Sequence, residues 1–174
     1  VVLVRQGAKL PTLLERAHVR DLRPKDVERV QALLAVLPQL YPNGDTWLQR
    51  RLDGALAGRA RCTLVEVDEV LAGVAIETPK APGRVKLSTF LIAAEYREAG
   101  VGSAFIRFLR DRWVSERLDQ VYVTVAESHH AQVQRVFEPV GFLTVAHELD
   151  RYGPGRNEYV MTCLLSEDHR HCPQ

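Results

Sequence analysis

Arg97-Glu98-Ala99-Gly100-Val101-Gly102 stands between an apolar run ending at Ile92 and an amphipathic stretch that begins near Gly100. A helix start exposes N–H groups without intrahelical partners and carries the positive end of the helix dipole, so it attracts anions. Successive N–H groups in the preceding turn add a concave nest of donors. Gly100 and Gly102 put no Cβ between the backbone and a bound oxygen, and Arg97 offers a charge-assisted contact. Such a loop reads as a cradle for a pyrophosphate.

Two other phosphate-binding designs fit less well. A dinucleotide-binding fold requires a third glycine near Phe105, after a parallel strand. A P-loop requires Lys and Ser/Thr at the helix start, where Ser103-Ala104 follow Gly102 instead. The bland alternative is that two glycines simply end a loop.

At 174 residues the chain is the size of one ordinary domain. Apolar residues make up 46% and charged residues 26%, a globular balance. A formal net charge of +1 gives no global field toward nucleic acid or membrane. Cys62, Cys163 and Cys172 are odd in number and widely spaced, so no disulfide framework is expected, and a cytoplasmic location is the default. No run approaches the roughly 18 apolar residues of a membrane span.

Patterning places the loop within a mixed α/β domain. Ala17–Arg20 reads as a short strand. A helix follows Arg23-Pro24, with Val27, Val30, Leu33, Leu34 and Leu37 on one face and Pro38 as its stop. Asp45 or Thr46 is expected to cap a second helix carrying Trp47, Leu48, Leu52 and Leu56. Cys62–Val67, Val70–Glu77 and Val85–Ile92 are separated by hairpin-sized gaps and form an antiparallel meander. The helix from about Gly100 to Arg117 buries Val101, Ala104, Phe105, Phe108, Leu109 and Trp113. Val121–Val125 is a β-branched strand, and strand-helix-strand order implies that it lies parallel to the one before the loop. A short helix over about His130–Glu138 and a hairpin of Phe142–Leu149 with Glu158–Leu165 complete the chain. Residues 1–16 are expected to be an N-terminal extension, 17–165 the domain, and 166–174 a polar tail.

The run Phe90 to Gly102, F-L-I-A-A-E-Y-R-E-A-G-V-G, resembles the signature of the GNAT superfamily of N-acetyltransferases: an apolar strand, then [RQ]-x-x-G-x-[GA]. The segments Val121–Val125, Phe137-Glu138-Pro139-Val140-Gly141-Phe142 and Glu158-Tyr159-Val160-Met161 are similar to that family's later strands and its Tyr-x-x-x-Gly-Phe segment. The resemblance extends over about residues 17–165. It implies a mostly antiparallel sheet of six to seven strands flanked by helices, with one parallel, splayed pair.

It also implies a site. Acetyl-CoA would be the acyl donor, its pantetheine arm pairing with the backbone edge of Phe90, Leu91 and Ile92. The diphosphate would rest on Arg97, Glu98, Ala99, Gly100, Val101, Gly102 and Ser103, with Phe137 against the cofactor. An amine would attack the thioester directly. The family's usual acid, a Tyr, is replaced here by Phe137, and the strand that often carries a base carboxylate reads Lys86-Leu87-Ser88-Thr89-Phe90. His130 and Glu127, which leave the strand after Val125, are the candidate bases; the alternative is that Ser128 caps a helix and the histidines are solvated. Glu77, at a strand end, is the next candidate base. Tyr152 and Tyr159 are candidates to line the acceptor side.

The acceptor is expected to be a primary amine, whether on a small molecule, a protein or an aminoacyl group. Two rival functions are a non-catalytic acyl-CoA-binding module and a toxin-like acetyltransferase acting on aminoacyl-tRNA. The latter needs a basic groove, for which Arg50, Arg51, Arg59 and Arg61 are candidates. Family resemblance makes a homodimer plausible. No metal is expected: Asp168-His169-Arg170-His171-Cys172 lacks a second ligand pair.

Overall fold

A computed structural model describes residues 12–36 and 43–165. One seven-stranded sheet organises them, in the order β1-β2-β3-β4-β5-β7-β6. The strands are β1 (Ala17–Asp21), β2 (Arg61–Val67), β3 (Val70–Ala81), β4 (Arg84–Ile92), β5 (Gln120–Ala126), β6 (Phe142–Glu148) and β7 (Glu158–Leu164). Only β4 and β5 run parallel; every other neighbouring pair is antiparallel. The expected fold class is therefore the observed one.

Local chemistry explains the meander. Asp68 and Glu69 link β2 to β3 with φ of 49° and 66°, the positive values that a two-residue hairpin turn of matching twist demands. β3 runs on to Ala81, past the expected end at Glu77, because Thr78 and Pro79 still find partners in Lys86 and Val85. The turn is thereby reduced to Pro82-Gly83. Gly83, with φ of 69°, offers its carbonyl to the N–H groups of Asp119 and Gln120 at 2.8 and 3.1 Å, which anchors the start of β5 beside β4.

Among the described residues four α-helices cover the two faces. α1 (Val27–Leu33) follows a 3-10 turn at Pro24–Asp26, and α2 spans Gly44–Leu56. Both pack on one face, where Val30, Leu34, Leu48 and Leu52 meet Cys62, Leu64, Val74 and Ile76. α1 ends sooner than its periodicity suggests; Leu37 and Pro38 lie outside the described residues. Neither Asp45 nor Thr46 caps α2, because the helix begins one residue earlier, after Asn43 in the left-handed region at φ 59°.

α3 (Val101–Ser115) and α4 (His130–Phe137) cover the other face. The buried stripe of α3 is Val101, Phe105, Ile106, Leu109 and Trp113. It is rotated slightly from the expected face: Ile106 is buried, while Phe108 is 42% exposed beneath the Arg112 guanidinium. Trp113 is fully buried, and its indole N–H donates to Glu77. Truncating such a side chain to Ala costs about 3–5 kcal/mol. Its packing fixes α3, and with it the loop at the helix's opposite end.

Candidate active site

The parallel pairing of β4 with β5 is short. It joins Arg84, Val85 and Lys86 to Gln120, Val121 and Tyr122 and then stops. The cause lies one residue on. Glu77 pairs with Leu87 and Ile76 with Thr89, so Ser88 is an extra residue in β4. A bulge of this kind bends its strand. β5 meanwhile stays paired with β7 along its whole length, to Ala126 opposite Glu158. Phe90, Leu91 and Ile92 thus pair with Ala75, Val74 and Gly73 on one side and with nothing on β5. A cleft opens between the strands, with a free backbone edge along β4.

The glycine loop sits at the end of that edge. A 3-10 turn at Ala94–Tyr96 follows β4, and Arg97 donates its Nε–H to the Ile92 carbonyl at 2.9 Å. Glu98 and Gly100 take positive φ of 63° and 82°, winding the chain into α3. The first bond of the helix runs from the Ala104 N–H to the Gly100 carbonyl at 3.0 Å. The N–H groups of Val101, Gly102 and Ser103 are therefore the orphan donors of the helix start. A Cβ at Gly102 would make only ordinary contacts, 3.4 Å from Ile92 and 4.0 Å from Val136, so packing does not by itself call for a glycine there.

Phe137 belongs to the core. It is 2% exposed, edge-on to Phe90 at 5.1 Å and tilted against Phe142 at 5.0 Å, while Phe90 stacks on Phe105 at 5.5 Å. The ring carries no transferable proton and closes the floor of the cleft on the α3/α4 side.

His130 and Glu127 lie together at the C-terminal end of β5. Glu127 opens a 3-10 turn and His130 begins α4. His130 Nε2 is 2.8 Å from Thr144 Oγ1, and its ring stacks on Tyr159 at 4.0 Å. His147 stacks on the same phenol at 4.2 Å, and its Nε2 lies 3.2 Å from one Glu127 oxygen. Asn157 donates to the other at 3.0 Å. Ser128 makes no helix cap; its hydroxyl lies 3.0 Å from His129 Nδ1. Tyr159 pairs with Val125, a residue of the α3/α4 core, so this cluster stands on the α3/α4 face.

A second polar cluster occupies the other face, and the sequence reading found only part of it. Lys86 adjoins core residue Leu87 and so faces the α1/α2 side, as do Thr124 and Glu158 beside core residues Val125 and Met161's row. Tyr152, from the β6–β7 loop, hydrogen-bonds to Lys86, Thr124 and Arg151, bridging β4 to β5 where they part. Burial lowers the Lys86 pKa, partly offset by Tyr152. Burial alone would raise the Tyr152 pKa, but the Lys86 charge and the bonds from Thr124 and Arg151 bring it below its usual value. Glu158 is 3% exposed, and no donor among the described residues reaches its Oε2. Its burial raises its pKa, against the pull of Arg151 and Lys86. The one sequence signal for Glu158 is a carboxylate in an otherwise apolar strand.

Glu77 is not a solvated strand end. It is 4% exposed and held by Arg112 and Trp113, which makes it a structural anchor. Arg61 is paired with Glu116 at 2.6 Å and, with Arg59, lines a cavity of about 310 Å³ at the end where β4 and β5 are still joined. Arg51 stacks over Trp47. Arg59 and Arg61 thus do not border the splay. Among the described residues no group of His, Cys, Asp or Glu is arranged to hold a metal ion; Asp168–Cys172 lie outside them. No helix among them is long and apolar enough to cross a membrane.

Several solved structures share this architecture. A GNAT-family protein from Desulfovibrio desulfuricans superposes with a TM-score of 0.74 at 18% identity, covering 86% of this chain and 99% of that one. Spermidine N-acetyltransferase from Vibrio cholerae, solved with CoA and spermine, gives 0.71 at 18% identity, covering 87% and 96%. The ribosomal-protein-alanine N-acetyltransferase from Escherichia coli gives 0.72 at 15% identity, covering 86% and 94%. No curated protein matches the chain in sequence. At these identities the likeness establishes the fold. Residues 31–162, however, match the family model of the acetyltransferase (GNAT) domain, most of the sequence. The chain belongs to the GNAT family of N-acetyltransferases and is an enzyme of acetyl transfer.

Proposed function

We propose that the chain moves an acetyl group from acetyl-CoA to a primary amine by direct attack of the amine on the thioester. One observation carries this reading: the free edge of β4 beyond Lys86 leads straight to the orphan N–H groups of α3. An extended amide-containing arm and a diphosphate need those two features end to end. Phe90, Leu91 and Ile92 would pair with the arm. The diphosphate would take the N–H groups of residues 98–103, with charge from Arg97.

In the reaction a C–N bond forms and the C–S bond breaks. The thiolate leaves and is protonated to the free thiol of CoA, and the ammonium gives up its protons. The cofactor supplies an activated acyl group; the protein supplies position and proton handling. A thiol of pKa about 8.5 leaves tolerably without an acid, whereas an alkylammonium of pKa about 10 has to be deprotonated. His130 and Glu127 are the proposed proton acceptors, backed by their place at the end of β5 and by their shared contact with the His147–Tyr159 stack. A cytoplasmic location and a homodimeric state belong to the same reading.

The test is thiol release from acetyl-CoA on addition of primary amines, with acetyl-CoA binding followed separately by calorimetry. Amine-dependent release with stoichiometric acetylated product is expected. Tight binding without release for any amine would favour a non-catalytic acyl-CoA-binding module. Phe137 gives that second reading its support, since a buried apolar ring stands where many relatives carry the acid.

A further inference from the structure

Glu158 is a buried carboxylate with one oxygen that finds no hydrogen-bond partner among the described residues. It is 3% exposed, and its Oε2 accepts no hydrogen bond from any described residue. Burying a charged carboxylate without a donor is costly, so an orphan of this kind marks strain or a missing ligand. The two cations within electrostatic reach are both engaged elsewhere: Lys86 with Tyr152, and Arg151 with Tyr152 and with Glu148, the β6 partner of Glu158.

Its position gives the orphan a use. Glu158 pairs with Ala126 at the last step of β5, beyond the point where β4 has turned away. Alternation along β7 puts it on the face opposite Tyr159, and hence opposite α3, α4 and the glycine loop. Among the described residues the α1/α2 face of the splay therefore holds a buried carboxylate with one orphan oxygen, beside the Lys86–Tyr152–Thr124 bridge. A ligand entering from that face meets a carboxylate with one oxygen undonated among the described residues, and with Arg151 and Lys86 acting on it only at a distance. A primary ammonium supplies three donors and one positive charge.

We propose that Glu158 anchors the ammonium of the acceptor at the open end of the splay, opposite the last residue of β5 before Glu127. Glu158 is in this role a specificity residue: it selects a cationic amine and holds it at the end of the cleft. The proposal rests on the transferase reading, and it is tested in a way that separates the two.

The test follows the side-chain carboxyl of Glu158 by carbon-13 NMR in uniformly Glu-labelled protein loaded with CoA, the signal being assigned by its loss in Glu158→Gln. Titrations are run alone and with n-butylamine, 1,4-diaminobutane and a tripeptide amide bearing a free N-terminus. An ammonium on the carboxylate favours its charged form, so at least one amine is expected to move the Glu158 titration to lower pH. For that amine Glu158→Gln is expected to raise KM at least tenfold, with acetyl-CoA affinity unchanged. A Glu158 titration that none of the three amines moves overturns the proposal, and then the oxygen is satisfied by water. An amine that moves Glu158 yet releases no thiol from acetyl-CoA leaves the anchor standing and removes the transferase reading.

Discussion

Lys86 and Tyr122 are the last Cα partners of β4 and β5. Everything proposed for the donor side follows from the parting of the strands beyond them. The β4 amides that face β5 past Lys86 lack a ladder partner, so they should exchange quickly in the free protein. Hydrogen exchange at Phe90 and Ile92 is expected to slow on acetyl-CoA addition, with little change at Leu91, whose N–H faces β3 as that of Ala93 does. Equal protection before and after addition would place the cofactor arm somewhere else.

The loop makes a graded set of expectations. Gly100 holds φ at 82°, where any side chain is strained. Gly100→Glu adds strain and a negative charge beside the orphan donors, so acetyl-CoA affinity should fall steeply. Gly100→Ala separates the two effects: it keeps the strain without the charge and should weaken binding less. Arg97→Ala should cost about 1–3 kcal/mol, the range for a charge-assisted hydrogen bond. Calorimetry on folded variants reads all three. Full affinity in Gly100→Glu would remove the diphosphate from this loop.

Proton transfer is tested at the other end of β5. Base help of this kind is worth about 10²–10⁴-fold. If His130 or Glu127 takes the ammonium proton, His130→Ala or Glu127→Gln should lower turnover by at least the bottom of that range and reshape the acid limb of the pH–rate profile. Acetyl-CoA affinity should stay the same. Glu127 also ties His147 to Asn157, so thermal stability is measured alongside to separate unfolding from chemistry. Unaltered pH–rate profiles in both variants would shift the role to another group.

Much of this architecture was legible because its signals are local. Gly100 follows an apolar strand and opens an amphipathic helix, and that juxtaposition is visible in a window of a dozen residues. The β4/β5 parallel pair follows from element order. The acid–base side was not legible, for a physical reason. Which face a strand residue takes depends on register, and register here is reset by the bulge at Ser88 and another at Val145. Tyr152 and Tyr159 look alike in sequence yet serve opposite faces. Glu77 looks like a strand end in sequence because Pro79-Lys80-Ala81-Pro82-Gly83 reads as a turn, but cross-strand pairing carries β3 onward and Trp113 buries the carboxylate. Glu158 was passed over because an unpartnered oxygen is a property of what surrounds a residue.

The last expectation concerns acid stability and the hold of α1 on the sheet. Arg20, on β1, donates to both oxygens of Asp26 at 2.6 and 2.8 Å and to both oxygens of Glu66, on β2, at 2.8 and 2.9 Å. Arg29, on α1, reaches Glu66 at 2.5 Å. Asp26 has no exposed surface, and the Arg20 guanidinium is the main cause of a pKa lowered to about 2 from 3.8. A carboxylate with a depressed folded-state pKa contributes stability that is fully present above the unfolded value and is lost as pH falls through the folded one. Here that window runs from about pH 4 down to about pH 2, and the contribution is about 2 kcal/mol by linkage. Denaturant titrations should therefore show unfolding free energy falling across that window in the wild type. Asp26→Asn should flatten this part of the fall and lower stability at pH 7 by about 3–5 kcal/mol, because Arg20 is left partly unpaired in a buried site. An Asp26→Asn variant as stable as the wild type at pH 7, with the same acid fall, would mean that the first helix is held to the sheet by its apolar contacts alone.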